Sequence, residues 1–169
     1  SYKLVANIPY NITSLIIRKF LEEENRPEII VLLVQKEVAE RIIAEPGDMS
    51  LLAVSVQFYA EAEIVAIVSK ESFFPIPKVD SAIIKLKVKS QKPKVQRREF
   101  FRLVKFGFAA KRKTLENNLS AGMHIKKDVA RDIIKKAGFE AKVRAEDLSV
   151  EDWIRLFRHS GLDAESTTK

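Results

Sequence analysis

Residues 29–34, Ile29-Ile30-Val31-Leu32-Leu33-Val34, form an unbroken apolar run rich in β-branched side chains. A run with no polar alternation predicts a strand covered on both faces, as in the parallel sheets of α/β proteins. The flanks agree with that reading. Upstream, Arg26-Pro27 breaks a helical pattern that runs from about Ser14 to Glu24, with Leu15, Ile16, Phe20 and Leu21 on its apolar face and Asn11 or Thr13 as its cap. Before that helix stands a short apolar strand, Leu4-Val5-Ala6. Downstream, Lys36 to Ala44 reads as a helix ended by Pro46-Gly47, and Ser50 to Tyr59 as another. Ala62 to Val68 reads as a strand, and Phe73 to Pro77 as a proline-stiffened loop. Ser81 to Val88 alternates, with Ile84, Leu86 and Val88 inward and Lys85, Lys87 and Lys89 outward. Residues 1–90 therefore read as the second half of a doubly wound α/β domain, its last two strands pairing antiparallel at a sheet edge.

Beyond a polar linker at 91–95 no strand pattern appears, and residues 96–160 read as a small all-helical domain. Helices are expected over Glu99–Ala110, Leu115–Leu119 and Lys127–Ala137, the last stopped by Gly138. Ser149-Val150-Glu151-Asp152 is a capping-box-like start for a fourth helix through Phe157, with Trp153, Leu156 and Phe157 on its apolar side. Residues 161–169 read as a tail.

Composition narrows the function classes. The 169 residues carry a net charge of +7 and no cysteine, which excludes a disulfide framework and thiolate metal sites. His124 and His159 stand far apart without acids at ligand spacing, so no metal is expected. No apolar run approaches the ~18 residues of a membrane span, and no secretory leader is recognisable, so a cytoplasmic location without membrane contact is expected. The basic excess is concentrated between Lys85 and Lys113, where Glu99 is the sole acid. Such a concentration points to a polyanion, with Lys78, Arg97, Arg98, Lys111, Arg112 and Lys113 as candidate nucleic-acid contacts.

The strand 4–6 ends in Asn7-Ile8-Pro9-Tyr10. In an open α/β sheet ligands sit at the carboxyl ends of strands. An exocyclic amine of a planar base is a poor nucleophile, because its lone pair is delocalised into the ring. The Asn7 side-chain oxygen and the Ile8 carbonyl are acceptors that favour a pyramidal nitrogen and stabilise the positive charge that grows as it attacks a methyl group. Pro9 fixes the turn, and Tyr10 offers a face for a flipped-out base. A plain Asn-x-Pro turn at a strand end is the alternative reading of the same residues. In Phe73-Phe74-Pro75-Ile76-Pro77-Lys78-Val79-Asp80-Ser81, Phe73 is placed to cover the other face of the base, Phe74 reads as a core residue, and Asp80 and Ser81 shape the loop. Glu37 and Glu40, beside Lys36 and Arg41, read as surface ion-pair partners rather than acid–base catalysts.

Four stretches in order resemble one family: Asn7-Ile8-Pro9-Tyr10, Gln35-Lys36-Glu37-Val38-Ala39-Glu40-Arg41, Phe73-x-Pro75-x-Pro77-Lys78-Val79-Asp80-Ser81, and Phe108-Ala109-Ala110-Lys111-Arg112-Lys113-Thr114-Leu115-x-Asn117-x-Leu119. Together they are similar to the ribosomal RNA adenine N6,N6-dimethyltransferases, over about residues 3–158. The resemblance implies a Rossmann-like methyltransferase sheet, S-adenosylmethionine as methyl donor, and dimethylation of two adjacent adenosines near the 3′ end of small-subunit rRNA in the immature subunit. It implies no metal and no obligate protein partner. Asn7, Ile8, Pro9 and Tyr10 would form the catalytic turn, Tyr10 and Phe73 would stack on the base, and Asn7 and Pro9 would touch the cofactor. The glycine-rich cofactor loop of the family has no counterpart among Gly47, Gly107, Gly122, Gly138 and Gly161. The chain accordingly reads as the C-terminal part of such an enzyme, with an exposed apolar sheet edge and no methylation expected from it alone. The erythromycin-resistance methyltransferases of large-subunit rRNA share the first and third stretches. A non-catalytic rRNA-binding fragment and a DNA adenine methyltransferase remain as alternatives.

Overall fold

The computed structural model describes residues 2–91 and 93–162. Lys92 of the expected linker and residues 163–169 of the expected tail lie outside the described residues. The chain divides into two compact units, Ser1–Ala44 with Leu52–Lys92, and Glu45–Leu51 with Pro93–Lys169.

The first unit is a four-stranded mixed sheet with helices. Strands β1 (Lys3–Asn7), β2 (Ile29–Gln35), β3 (Ala60–Val68) and β4 (Ser81–Val88) lie in the order β1-β2-β4-β3. β1 and β2 run parallel, while β4 pairs antiparallel with both β2 and β3. β4 is thus not an edge strand: it inserts between β2 and β3. The run 29–34 is not sealed equally on both faces. Ile30, Leu32 and Val34 are wholly buried, and Ile29, Val31 and Leu33 are half-buried. Buried Ala82, Ile84 and Leu86 of β4 continue that inner face, so the alternation read in residues 81–88 holds. β1 pairs with β2 alone among the described strands, and Val5 and, on the following helix, Leu15 are 75% and 66% exposed.

Helix α1 (Thr13–Glu22) differs in face from the sequence expectation. Thr13, Ile17 and Leu21 are its buried positions, one per turn, whereas Leu15 is in solvent. Burying Ile17 and Leu21 contributes ~1.5–3 kcal/mol each relative to exposure. No side chain caps α1: a 3-10 turn, Tyr10–Ile12, precedes it and leaves Ile12 at the cap position. Helix α2 (Lys36–Ile42) follows β2 directly. Helix α3 (Leu51–Gln57) ends two residues short of the expected Tyr59, because the backbone turns into β3 at Ala60.

The second unit is helical: α4 (Arg97–Gly107), α5 (Leu115–Met123), α6 (Lys127–Lys136) and α7 (Val150–His159). Its core gathers Phe100, Leu103, Leu119, Ile134, Trp153 and Phe157, all at most 0% exposed. Phe108 tilts against Trp153 with ring centroids 5.6 Å apart. α5 runs a turn beyond its expected end and closes at His124, φ +56°. α6 stops as expected before Gly138, φ +86°, a left-handed position that glycine fills without strain. Ser149 and Asp152 form the reciprocal capping box: Asp152 N donates to Ser149 Oγ, and Ser149 N donates to Asp152 Oδ2. The short segment 45–51 joins this unit through Gly47 N and Met49 N, both donating to the Glu146 carbonyl.

Candidate base-binding site

Two chain segments far apart in sequence meet at one end of the sheet. β1 ends at Asn7, opposite Leu33 of β2, and β4 begins at Ser81, opposite Gln35. After Asn7 the chain passes through Ile8 and Pro9 into the 3-10 turn, closed by Ile12 N donating to the Pro9 carbonyl at 3.2 Å. Proline suits this corner, since its φ of −56° is the one its ring imposes and its missing N–H is not needed there.

The loop 69–80 is tied at both ends. Lys70 N donates to Asp80 Oδ1 at 3.0 Å, and Phe73 N to the Lys70 carbonyl at 3.3 Å. Lys36 N, at the start of α2, donates to the Asp80 carbonyl at 3.0 Å. The Tyr10 and Ser81 hydroxyls share a hydrogen bond of 2.6 Å across 71 residues of sequence. Ser81 is wholly buried and Tyr10 half-buried. The peptide Phe74–Pro75 is cis.

The result is an open cavity of about 360 Å³ lined by Asn7, Ile8, Pro9, Tyr10 and Phe73. Every residue that the sequence reading assigned to the base and the reacting amine lines this one cavity. Asn7 is exposed, so its carboxamide is reachable by a ligand. The lining is chemically narrow: one carboxamide, backbone carbonyls, two aromatic rings and a proline. Such a lining offers hydrogen-bond acceptors and ring faces to a ligand and no charge. It contains no carboxylate to hold ribose hydroxyls, so the grip on the rest of an S-adenosylmethionine molecule is not assigned to these five residues. A larger cavity, about 610 Å³, lies at the opposite end of the sheet around Glu28, Glu61, Lys87 and Lys89. There both charge signs mix, Lys89 Nζ donates to the Gln57 carbonyl at 2.8 Å, and no aromatic ring is present.

Phe74 corrects the sequence reading: it is 100% exposed, not a core residue. Lys78 is also exposed on the same loop. The basic run is less uniform than its sequence suggests. Lys85 pairs with Glu63 at 2.7 Å across β3 and β4, and Arg102 with Glu99 at 2.9 Å along α4. Those two cations are partly neutralised, and neither was among the candidate contacts.

In the second unit, Arg97 and Arg98 are exposed at the start of α4, and Lys111, Arg112 and Lys113 are exposed in the turn between α4 and α5. That turn is held from beneath. Asn118 Nδ2 donates to the carbonyls of Gly107 and Ala110 at 2.6 and 3.1 Å, and Arg144 Nη2 to the Lys111 carbonyl at 2.7 Å. Asn118 is only 4% exposed, so it spends a buried amide on orphan carbonyls at the end of α4. Sequence reasoning passed over Asn118; the available signal was a second amide, after Asn117, on an apolar helical face. Asn117 Nδ2 donates to Thr114 Oγ1 at 2.8 Å. Beside it, Arg131 donates two hydrogen bonds to Glu116 and holds that carboxyl below its ordinary value against the opposing effect of burial. Among the described residues no group of three His, Cys, Asp or Glu side chains could hold a metal ion, and no helix is long and apolar enough to cross a membrane.

The family profile described as Ribosomal RNA adenine dimethylase matches residues 1–160. The chain belongs to that family. Within the family it is 46% identical over 157 residues to a Ribosomal RNA small subunit methyltransferase A of Dehalococcoides mccartyi, covering 92% of this chain and 54% of that protein. It is 44% identical to the protein of the same name from Clostridioides difficile, covering 89% and 54%. The chain therefore spans about half the length of the curated relatives it matches. Among solved structures it is similar to a dimethyladenosine transferase from Plasmodium falciparum, with TM-score 0.80, 27% identity, and coverage of 95% of this chain and 68% of that one. It is also similar to the 23S rRNA methyltransferase ErmE, with TM-score 0.70, 26% identity, and coverage of 93% and 64%. These likenesses bear out the α/β methyltransferase fold class expected from the sequence.

Proposed function

We propose that this chain carries the acceptor-base site of an enzyme that dimethylates N6 of two adjacent adenosines near the 3′ end of small-subunit rRNA. The observation that carries the reading is the cavity that brings Asn7, Ile8, Pro9 and Tyr10 against Phe73. Family membership and the names of the sequence relatives support it. They favour the small subunit over the large one, although one structural neighbour acts on 23S rRNA.

In this reading Tyr10 and Phe73 hold the adenine by its faces. The Asn7 Oδ1 and the Ile8 carbonyl accept the two N6–H groups. That pulls the nitrogen lone pair out of ring conjugation and steadies the positive charge that develops on it. The cationic nitrogen then loses a proton to water at the open mouth of the cavity, and no strong base is required. One N–H remains after the first transfer, and the same acceptors hold it for the second. S-adenosylmethionine, when bound, supplies a methyl group activated by its sulfonium, with Asn7 and Pro9 bordering its methyl-bearing end. Lys78, Arg97, Arg98, Lys111, Arg112 and Lys113 supply phosphate contacts to the RNA of the immature small subunit, in a reaction we read as cytoplasmic. By chain position, residues 1–90 serve as the methyltransferase portion, 91–95 as a linker, and 96–160 as a helical RNA-positioning domain.

The test is methyl transfer to small-subunit rRNA. It is measured with the chain alone and with the chain completed by the unmatched portion of the D. mccartyi relative, alongside cofactor calorimetry. The expected product is N6,N6-dimethyladenosine, from the completed protein only. Asn7→Ala should lower turnover by ~10²-fold or more with RNA affinity retained. A product methylated elsewhere, or unchanged turnover in Asn7→Ala, overturns the assignment.

A further inference from the structure

The loop that supplies Phe73 carries a second apolar surface that the cavity does not use. Phe74 is 100% exposed, Ile76 62% and Val79 44%. Phe73 lines the cavity and Phe74 does not, so Phe74 is not a second wall for the base held there.

A fully exposed phenyl ring is unusual, since burial is the ordinary fate of that side chain. The ends of the loop are tied by the Lys70–Asp80, Lys36–Asp80 and Tyr10–Ser81 hydrogen bonds, and the ring stands in water between them. Exposed Lys78 adds a cation four residues on, and no acid intervenes between Phe73 and Val79. An aromatic face and a cation four residues apart on one loop complement a single nucleotide: base on the ring, phosphate on the ammonium.

We propose that Phe74 is a stacking platform for the nucleotide next to the adenosine in the cavity, on the same RNA strand, with Lys78 on its phosphate. The inference rests on the RNA reading above and adds a second subsite to it. Extruding a base costs its neighbour a stacking partner. Phe74 replaces that partner outside the cavity while Phe73 serves the extruded base within it. Stacking on a ring reads no base edge, so this subsite tolerates any base and contributes affinity and register rather than sequence choice.

The test is equilibrium binding of the 169-residue chain to a single-stranded oligoribonucleotide containing two adjacent adenosines. Each adenosine is replaced in turn by 2-aminopurine, whose fluorescence is quenched by stacking. Phe74→Ala should weaken binding by about 5- to 100-fold and restore fluorescence at one of the two positions only. Phe73→Ala should restore it at the other. Phe74→Trp should keep both affinity and quenching, while Phe74→Leu should lose the quenching despite its apolar bulk. Thermal melting of Phe74→Ala should match the parent, since the ring is wholly in solvent. Unchanged RNA binding and quenching in Phe74→Ala, with Phe73→Ala impaired, overturns the subsite and leaves the cavity assignment standing. A lower melting temperature, or a change of sedimentation in place of RNA affinity, overturns it in favour of a structural role or contact with a second copy. Absence of RNA binding by the chain overturns the RNA reading and this inference together.

Discussion

Replacing Tyr10 by Phe removes one oxygen and leaves the ring, which isolates the bond that joins the two halves of the cavity. The Tyr10 and Ser81 hydroxyls lie 2.6 Å apart, and Ser81 is 0% exposed. An intramolecular hydrogen bond is worth ~0.5–1.5 kcal/mol net, but a buried group left unpaired costs ~1–3 kcal/mol. In Tyr10→Phe the stranded group is the wholly buried Ser81 hydroxyl, so a loss of about 1–3 kcal/mol is expected. In Ser81→Ala the stranded group is the Tyr10 hydroxyl, which is half-buried and can turn to water, so the expected loss is about 0.5–1 kcal/mol. The double variant should cost little more than Ser81→Ala, so the coupling should be about as large as the Tyr10→Phe loss, about 1–3 kcal/mol. Urea unfolding followed by far-UV circular dichroism gives the three values. Hydrogen exchange at the Lys36 amide, which is bonded to the Asp80 carbonyl at 3.0 Å, reports locally on the loop. Equal losses from the two single variants, or additive losses in the double variant, would refute the reasoning. The functional consequence is specific: the ring of Tyr10 still offers its face, but Phe73 loses the tether that holds its loop in place, so base affinity should fall.

Gly107→Ala should destabilise the helical unit: a Cβ there would overlap Cη2 of the wholly buried Trp153 and stand 3.1 Å from Leu115 Cδ1. Overpacking of ~1–3 kcal/mol outweighs the ~1 kcal/mol gained in helix propensity, and thermal melting should show a lower midpoint. Asn118→Ala should cost ~1–3 kcal/mol by stranding the Gly107 and Ala110 carbonyls, and should speed proteolysis of the Lys111–Lys113 turn. Alanine at Lys111, Arg112 and Lys113 together should lower the slope of log affinity against log salt for single-stranded RNA by about 2; an unchanged slope would remove that turn from the interface. Glu116 and Asp152 both titrate below their ordinary values of 4.5 and 3.8. For Glu116 the Arg131 hydrogen bonds dominate; for Asp152 burial pushes upward, and the Ser149 and Arg155 contacts together outweigh it. A depressed carboxyl stabilises the fold above its unfolded value and loses that contribution as pH falls through its folded value. Stability should therefore hold from pH 7 to about 5 and fall below about 4, and Glu116→Gln should flatten part of that fall.

Much of the candidate site was legible because its chemistry is local. Asn7, Ile8, Pro9 and Tyr10 are consecutive, and the apolar strand before them and the helix after them place the turn at a strand end. The capping box at Ser149 and Asp152 and the stop at Gly138 were equally readable, since each depends on backbone geometry within four residues. Phe73 and Phe74 mark the limit. The sequence reading put Phe73 at the base and Phe74 in the core; Phe73 lines the cavity, but Phe74 is 100% exposed, because whether a ring in an irregular loop finds a core to enter is not recorded in its neighbours.

Element types and their periods follow from local pattern, because helix and strand each imprint a repeat on adjacent residues that burial must respect. The family follows too, through four motifs in a fixed order. The strand order, with β4 between β2 and β3, came only from the folded chain. So did the Tyr10–Ser81 bond and the pairing of Lys85 with Glu63. These partners lie tens of residues apart. A local pattern fixes which face of a strand is apolar but carries no record of which strand will lie beside it. That choice is made when several apolar faces close over one core, and the cavity at the sheet's end exists only once they have.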